Sequence, residues 1–404
     1  MNRTAIAAAL AAALLLPAAA KADDAPGVFK VPGTDSTIKF YGYVQLDATE
    51  DFGGRGADYE DNDWATFLPN VPADNSPYAK RAKPQLYLTA RTSRFGIQTN
   101  TPSPMGNVGV KLEGDFNAPN GFQSETFTNS TLFRLRHAYG TIGNLLVGQT
   151  WTTFLDFGAA PDTVDFNGPG TLALVRNPMI RYTIPFGDGM GLALAAENTR
   201  GPQFSYTDQR FQVLPDLHAN FSWNGAAGSF SARVVGQQLN RLVLTGTGQV
   251  ADVSPKSAFG LGFGVSGSVK LGGDTLQAQF AGGPGIGRYL LNAAAVPFVS
   301  FNSSGDAKLW TVYGFHAAYT HIWTPEFRST LCGAYTMIQD PKINGVAASN
   351  GTPKNGLQGF ANLFWTTTKT TEFGIEYAYG QWKDIGGDKG TQNRVNASMH
   401  YSFY

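Results

Sequence analysis

Phe259-Gly260-Leu261-Gly262-Phe263-Gly264-Val265-Ser266-Gly267-Ser268-Val269 alternates strictly: large apolar residues at nearly every odd position, Gly or Ser at every even one. Successive side chains of a β-strand point to opposite faces, so a period of two reads as a strand with one apolar face. Ile38, Phe40, Gly42, Val44 and Leu46 do the same against Lys39, Tyr41, Tyr43, Gln45 and Asp47. A soluble sandwich would alternate as well. The length and number of such segments separate the two cases.

Working outward from that stretch, strand patterns lie near 37–49, 85–99, 106–116, 131–142, 144–153, 176–186, 190–198, 214–223, 228–239, 256–270, 275–283, 306–323, 326–338, 355–366, 371–382 and 392–403. These are about sixteen segments, most near the ~9–11 residues that a tilted membrane-crossing strand needs. Their connections alternate in length. Tight links follow the even-numbered strands, such as Asn224-Gly225-Ala226-Ala227, Gly272-Gly273-Asp274 and Thr367-Thr368-Lys369-Thr370. Long ones follow the odd-numbered strands: Glu50 to Pro84, Asn117 to Ser130, Phe154 to Val175 and Pro284 to Gly305. Short periplasmic turns and long outer loops belong to a bacterial outer-membrane β-barrel. Trp223 and Phe230, Trp323 and Phe327, and Trp365 and Phe373 flank three successive tight turns at outward positions, as an aromatic girdle at the headgroup level would. In the last strand Val395, Ala397, Met399, Tyr401 and Phe403 face lipid while Arg394, Asn396, Ser398, His400 and Ser402 face the lumen. That strand is expected to close on the first and remove both edges, and with Tyr404 following it no further domain is expected.

Composition agrees. Gly accounts for 48 of 404 residues, well above the usual ~7%, and only 15% of residues are charged. Lys plus Arg equals Asp plus Glu at 30 each, so no basic footprint for nucleic acid exists. Met1-Asn2-Arg3, an apolar run from Ala5 to Ala20 and the small-x-small triplet Ala20-Lys21-Ala22 read as an export signal over residues 1–22, cut before Asp23. Residues 23–36 then form a short periplasmic lead, and 37–404 the barrel. A single Cys, Cys332, cannot form an internal disulfide and is placed in the lumen. Asp58, Glu60, Asp61 and Asp63 read as a solvated acidic loop rather than a calcium site. The five histidines lack metal-ligand spacing, and neither a metal nor a cofactor is expected.

The stretch 154–175 alternates like no strand. Asp156, Asp162 and Asp165 sit there among Gly158, Pro161, Gly168, Pro169 and Gly170, with Phe154, Leu155, Phe157, Val164, Phe166, Leu172 and Leu174 supplying apolar surface. Long loops inside a compact architecture are usually functional. This one, the third outer loop, is expected to fold into the barrel. On the neighbouring strands the alternation sends Arg94, Lys111, Arg134, Arg136 and Arg181 inward. Arg presents a planar fork of donors suited to carboxylates. A cationic wall facing the loop aspartates would set up a transverse field across the aperture. The competing reading is that these cations pair with Glu113, Asp115 and Glu197 to stiffen the barrel.

Several segments in order carry a family resemblance: Pro32-Gly33-Thr34 leading into Ile38-Lys39-Phe40-Tyr41-Gly42-Tyr43, Ser93-Arg94-Phe95-Gly96-Ile97, Arg136-His137-Ala138-Tyr139-Gly140, Gly148-Gln149-Thr150-Trp151 and Tyr401-Ser402-Phe403. With them the chain resembles the DcaP-like family of trimeric outer-membrane channels and, more distantly, the general porins. The resemblance implies a homotrimer, an inward-folded third loop and passive passage of small anionic solutes such as dicarboxylates. Outer-membrane lipid and lipopolysaccharide would surround the barrel. A barrel enzyme and an adhesin or structural anchor are the alternatives, and no Ser, His and Asp set converges from the sequence to favour the enzyme.

Overall fold

The computed structural model describes residues 26–53, 71–77, 84–118, 132–198, 213–242, 255–294, 299–301, 307–340 and 352–403. The proposed signal segment, the acidic residues Asp58, Glu60, Asp61 and Asp63, and Asn129 lie outside the described residues.

Sixteen antiparallel strands close into a barrel. They are β1 (Thr37–Gly53), β2 in two pieces (Gln85–Thr89 and Arg94–Thr101), β3 (Val108–Ala118), β4 (Leu132–Ile142), β5 (Leu145–Trp151) and β6 (Arg176–Gly187). Then follow β7 (Met190–Glu197), β8 (Asp216–Gly225), β9 (Gly228–Leu242), β10 (Pro255–Leu271) and β11 (Asp274–Pro284). The last five are β12 (Thr311–Ile322), β13 (Phe327–Gln339), β14 (Pro353–Thr366), β15 (Thr371–Asp384) and β16 (Lys389–Ser402). Each pairs with its sequence neighbour, and β16 returns to β1 with Val44 opposite Tyr401 and Ala48 opposite Ala397. Closure leaves the barrel no open edge, the condition for a sheet to cross hydrocarbon. A short arm, Val28–Lys30, pairs with the start of β1.

The burial pattern is inside out relative to a soluble protein. Phe259 and Leu331 are 67% exposed, whereas His316, Gln358 and Arg394 are 0%, 1% and 2% exposed. Apolar side chains face out because lipid is their solvent, and polar side chains turn inward. At the turn end of the barrel Trp365 stacks on Phe327 and Phe373, ring centroids 5.9 and 5.8 Å apart. The Trp365 indole, with its polar N–H, suits that headgroup level.

Two-residue turns close several hairpins. Asp188 and Gly189 join β6 to β7 with φ of 50° and 78°, the positive pair required by the turn whose twist matches the strands. The alternation of link lengths has one exception: residues 385–388 join β15 to β16 in four residues, as short as a turn, because both strands run on until Lys383 faces Lys389. The expected strand 306–323 is also split. Ala307–Leu309 pairs with Val299–Phe301 in a separate two-stranded sheet, and β12 starts at Thr311.

Candidate solute passage

Loop 3, residues 152–175, lies inside the barrel. Its apolar residues Phe154, Leu155, Leu172 and Ala173 join one buried cluster with Val235, Ala281 and Val312 of the wall. Polar side chains of the wall then satisfy its backbone. The N–H groups of Val164 and Asp165 donate to the two oxygens of Glu376, both at 2.9 Å. Gly170 N–H donates to Gln358 Oε1 at 2.9 Å, and Gln279 Nε2 donates to the Thr171 carbonyl at 2.9 Å. His316 bridges Thr171 Oγ1 and the Ala159 carbonyl, each at 2.8 Å. A buried loop with its backbone groups paired avoids the desolvation cost that keeps most loops on the surface.

A second loop folds in with it. Within residues 285–310, Ile286, Tyr289, Leu290 and Ala293 are all 0% exposed and pack on loop 3. Leu291 N–H donates to the Leu172 carbonyl and Asn292 N–H to the Gly170 carbonyl, at 3.2 and 2.8 Å. Asn292 Nδ2 reaches Gln358 at 2.8 Å, and the Tyr289 hydroxyl donates to Asp216 Oδ2 at 2.8 Å. Gly170 permits this approach, since a Cβ there would stand 2.2 Å from the Asn292 amide. The sequence expectation leaves this segment as an ordinary outer loop. Its apolar run Tyr289-Leu290-Leu291 is the same kind of signal that marks loop 3.

Together the two loops lean on β8 to β15, and the wall from β1 to β6 stands on the other side of the lumen. A cavity of about 440 Å³ lies on that side, lined by Lys39, Tyr41, Tyr43, Arg94 and Glu113 among others. Of the expected cations, Arg94 lines that cavity. Arg134 grips Asp115 with two N–H groups at 2.9 and 2.7 Å. Arg136 spans Glu113 and Asp115 at 2.7 and 2.8 Å. Arg94 and Lys111 stand 3.7 and 3.6 Å from Glu113. Arg181 makes no ion pair among the described residues.

The aspartates of loop 3 differ from the expectation that all three look across the aperture. Asp162 is held by Arg328 at 2.7 Å on β13. Asp156 accepts from Gly158 N–H and from Ser266 Oγ on β10. Asp165, 2% exposed, accepts from Asn167 N–H at 2.9 Å within the loop. Their carboxylates fasten the loop and its own turns. Cys332 lies on the inner face, 2% exposed beside Phe360.

Besides Arg328, two further lumen cations among the described residues escape the sequence reading. Arg233 lies behind loop 3, its guanidinium 5.6 Å from the Phe154 ring centroid and donating to Gln279 at 3.1 Å. Arg176 stacks over Trp151 at 3.5 Å. It shares the sequence parity of Ile180, which faces lipid and is 58% exposed. Alternation therefore assigns Arg176 outward, and the strand end breaks it.

A family model described as DcaP outer membrane protein matches residues 21–403. The outer membrane channel DcaP of Acinetobacter baumannii has a similar structure, with 26% identity, TM-score 0.76, and coverage of 93% of this chain and 99% of that one. The anion-selective porin from Comamonas acidovorans is 12% identical at TM-score 0.57, covering 91% of this chain and 100% of that one. The trimer form of OmpT, an outer membrane protein of Vibrio cholerae, is 13% identical at TM-score 0.55, covering 91% and 99%. These last two likenesses concern the fold alone. A sequence search of curated proteins found no match.

Proposed function

The chain belongs to the DcaP outer membrane protein family, and from that premise we propose that this outer-membrane channel prefers small anions, dicarboxylates among them. One observation carries the preference: the side of the lumen opposite the inserted loops, β1 to β6, bears Lys39, Arg94, Lys111, Arg134, Arg136, Arg176 and Arg181 against Asp47, Asp51, Glu113 and Asp115 among the described residues, and Asp51 is held by Arg394 of β16. Residues facing a water-filled lumen tune selectivity. An excess of one sign beside low-dielectric walls raises the local concentration of the opposite ion. Glu113 and Asp115 neutralise part of the wall and fix the forks of Arg134 and Arg136 in place.

Passage is passive and needs no cofactor. Three copies form the working assembly, and residues 1–22 act as the export signal, with 23–36 leading into the barrel at 37–404. The test is the reversal potential of the purified channel in a salt gradient across a planar bilayer, with dicarboxylate uptake compared against a neutral sugar of similar size. Anion-positive potentials that shrink as salt rises are expected, because the Debye length falls from ~10 Å at ~0.1 M to ~3 Å at ~1 M. A channel that passes both ions equally at low salt refutes the preference and leaves the channel itself standing.

A further inference from the structure

Most of the cationic wall is already engaged; among the described residues Arg176 and Arg181 hold no carboxylate, and Arg176 is the one seated on an aromatic ring. Arg134 and Arg136 spend their donor forks on Asp115 and Glu113. Arg176 donates no hydrogen bond and holds no carboxylate among the described residues, and its buried Nε is without a partner. What it does have is a platform: its guanidinium carbon lies 3.5 Å from the centroid of the Trp151 ring. A guanidinium stacked on an indole leaves its in-plane N–H groups free.

The platform is held rigidly. Trp151 ends β5 and Arg176 begins β6, and the two are partners across the ladder, so they bracket loop 3 at its root. The indole meets His137 and Phe157 edge-on, at 6.1 and 5.5 Å between centroids. His137 is itself fixed by Thr150 Oγ1 at 2.9 Å. Phe157 belongs to loop 3 and is 55% exposed, so the site adjoins the inserted loop. Arg136 lies 5.8 Å from the same ring and adds positive potential without offering a free fork.

We propose that Arg176, laid flat on Trp151, is the residue on which a passing solute docks its carboxylate, received in plane by the unoccupied guanidinium N–H groups. The stack pre-orients the fork, so little side-chain freedom remains to be lost on docking. Arg181 and the paired arginines supply field, and Arg176 supplies contact. This assignment rests on the anion-preferring reading above, and deepens it to one residue and one ligand group.

Glutarate serves as the probe. In single-channel records its docking appears as brief interruptions of current whose mean duration reports residence. Arg176→Gln is expected to shorten that residence roughly tenfold, the worth of one charge-assisted paired contact, and to move the reversal potential toward cations. Arg176→Lys keeps the charge without the planar fork, so it should move the potential less while shortening residence comparably, and it remains informative if the Gln variant assembles poorly. Residence of wild-type length in either variant overturns the proposal. Absence of anion preference in the unsubstituted channel overturns the underlying reading and the proposal with it. That outcome is distinguishable because it appears before any substitution is made.

Discussion

Arg136 and Arg181 point into the same lumen but differ in what they hold. Arg136 is 3% exposed and its loss leaves Glu113 and Asp115, 5% and 0% exposed, without their shared partner. Breaking a buried pair from one side costs about 3–5 kcal/mol. Arg136→Gln is therefore expected to lower the unfolding temperature of the detergent-solubilised barrel markedly. Arg181→Gln, which breaks no ion pair, should leave it near wild type and act on the reversal potential. Glu376 offers a second residue-scale test. Its carboxylate accepts from Val164, Asp165, Asn362 and Asn396, and a Gln there would aim an amide donor at donors. Losing a buried acceptor of this kind costs about 1–3 kcal/mol. Glu376→Gln should loosen loop 3, seen as larger open-channel current noise. Alternation made the inward direction of Arg94, Lys111, Arg134, Arg136 and Arg181 legible in the sequence. Which of them are neutralised was not, because that depends on the register that sets Asp115 between Arg94 and Arg134.

Strands and loops were unequally readable. A strand declares itself locally, since period two is a property of ten consecutive residues. The inward folding of loop 3 is visible in its surplus of apolar residues, and 286–291 carries the same signal. Neither segment states which wall it will meet. The two loops support one another: the Phe154 and Tyr289 rings meet at a tilt, centroids 5.4 Å apart, and the second loop donates two backbone hydrogen bonds to loop 3. Deleting residues 154–175 is expected to enlarge single-channel conductance while insertion persists, because the loop contributes no ladder bonds to the barrel. Removing residues 286–294 as well should enlarge it further. Unchanged conductance in an inserted loop 3 deletion would show that loop 3 does not limit the passage.

On the scale of the whole molecule the barrel is governed by two solvents. Hydrocarbon fixes the outer face and its aromatic girdle, while water and the inserted loops fix the inner one. Phe327, Trp365 and Phe373 form one outward stack over three strands. Closure of β16 on β1 leaves every strand with two neighbours, a state that resists detergent and yields to heat. The proposed homotrimer should accordingly run above monomer mass on an unheated gel and at monomer mass after boiling. Amino-terminal sequencing of the exported protein is expected to begin at Asp23. A monomeric mass in mild detergent would remove the assembly and leave the barrel.

Sequence alone determined the strand number, the outward and inward faces, the location in the outer membrane and the presence of a loop inside the lumen. All of these follow from short-range periodicity and from the length a strand needs to cross a bilayer. Three things waited for the tertiary structure. The loop carboxylates turn to Arg328, Ser266 and their own backbone, a second loop packs on loop 3, and Arg176 stacks on Trp151 against its sequence parity. Each depends on residues brought together across the barrel, where a side chain takes the partner that satisfies its charge or hydrogen bonds, and no local pattern encodes that meeting.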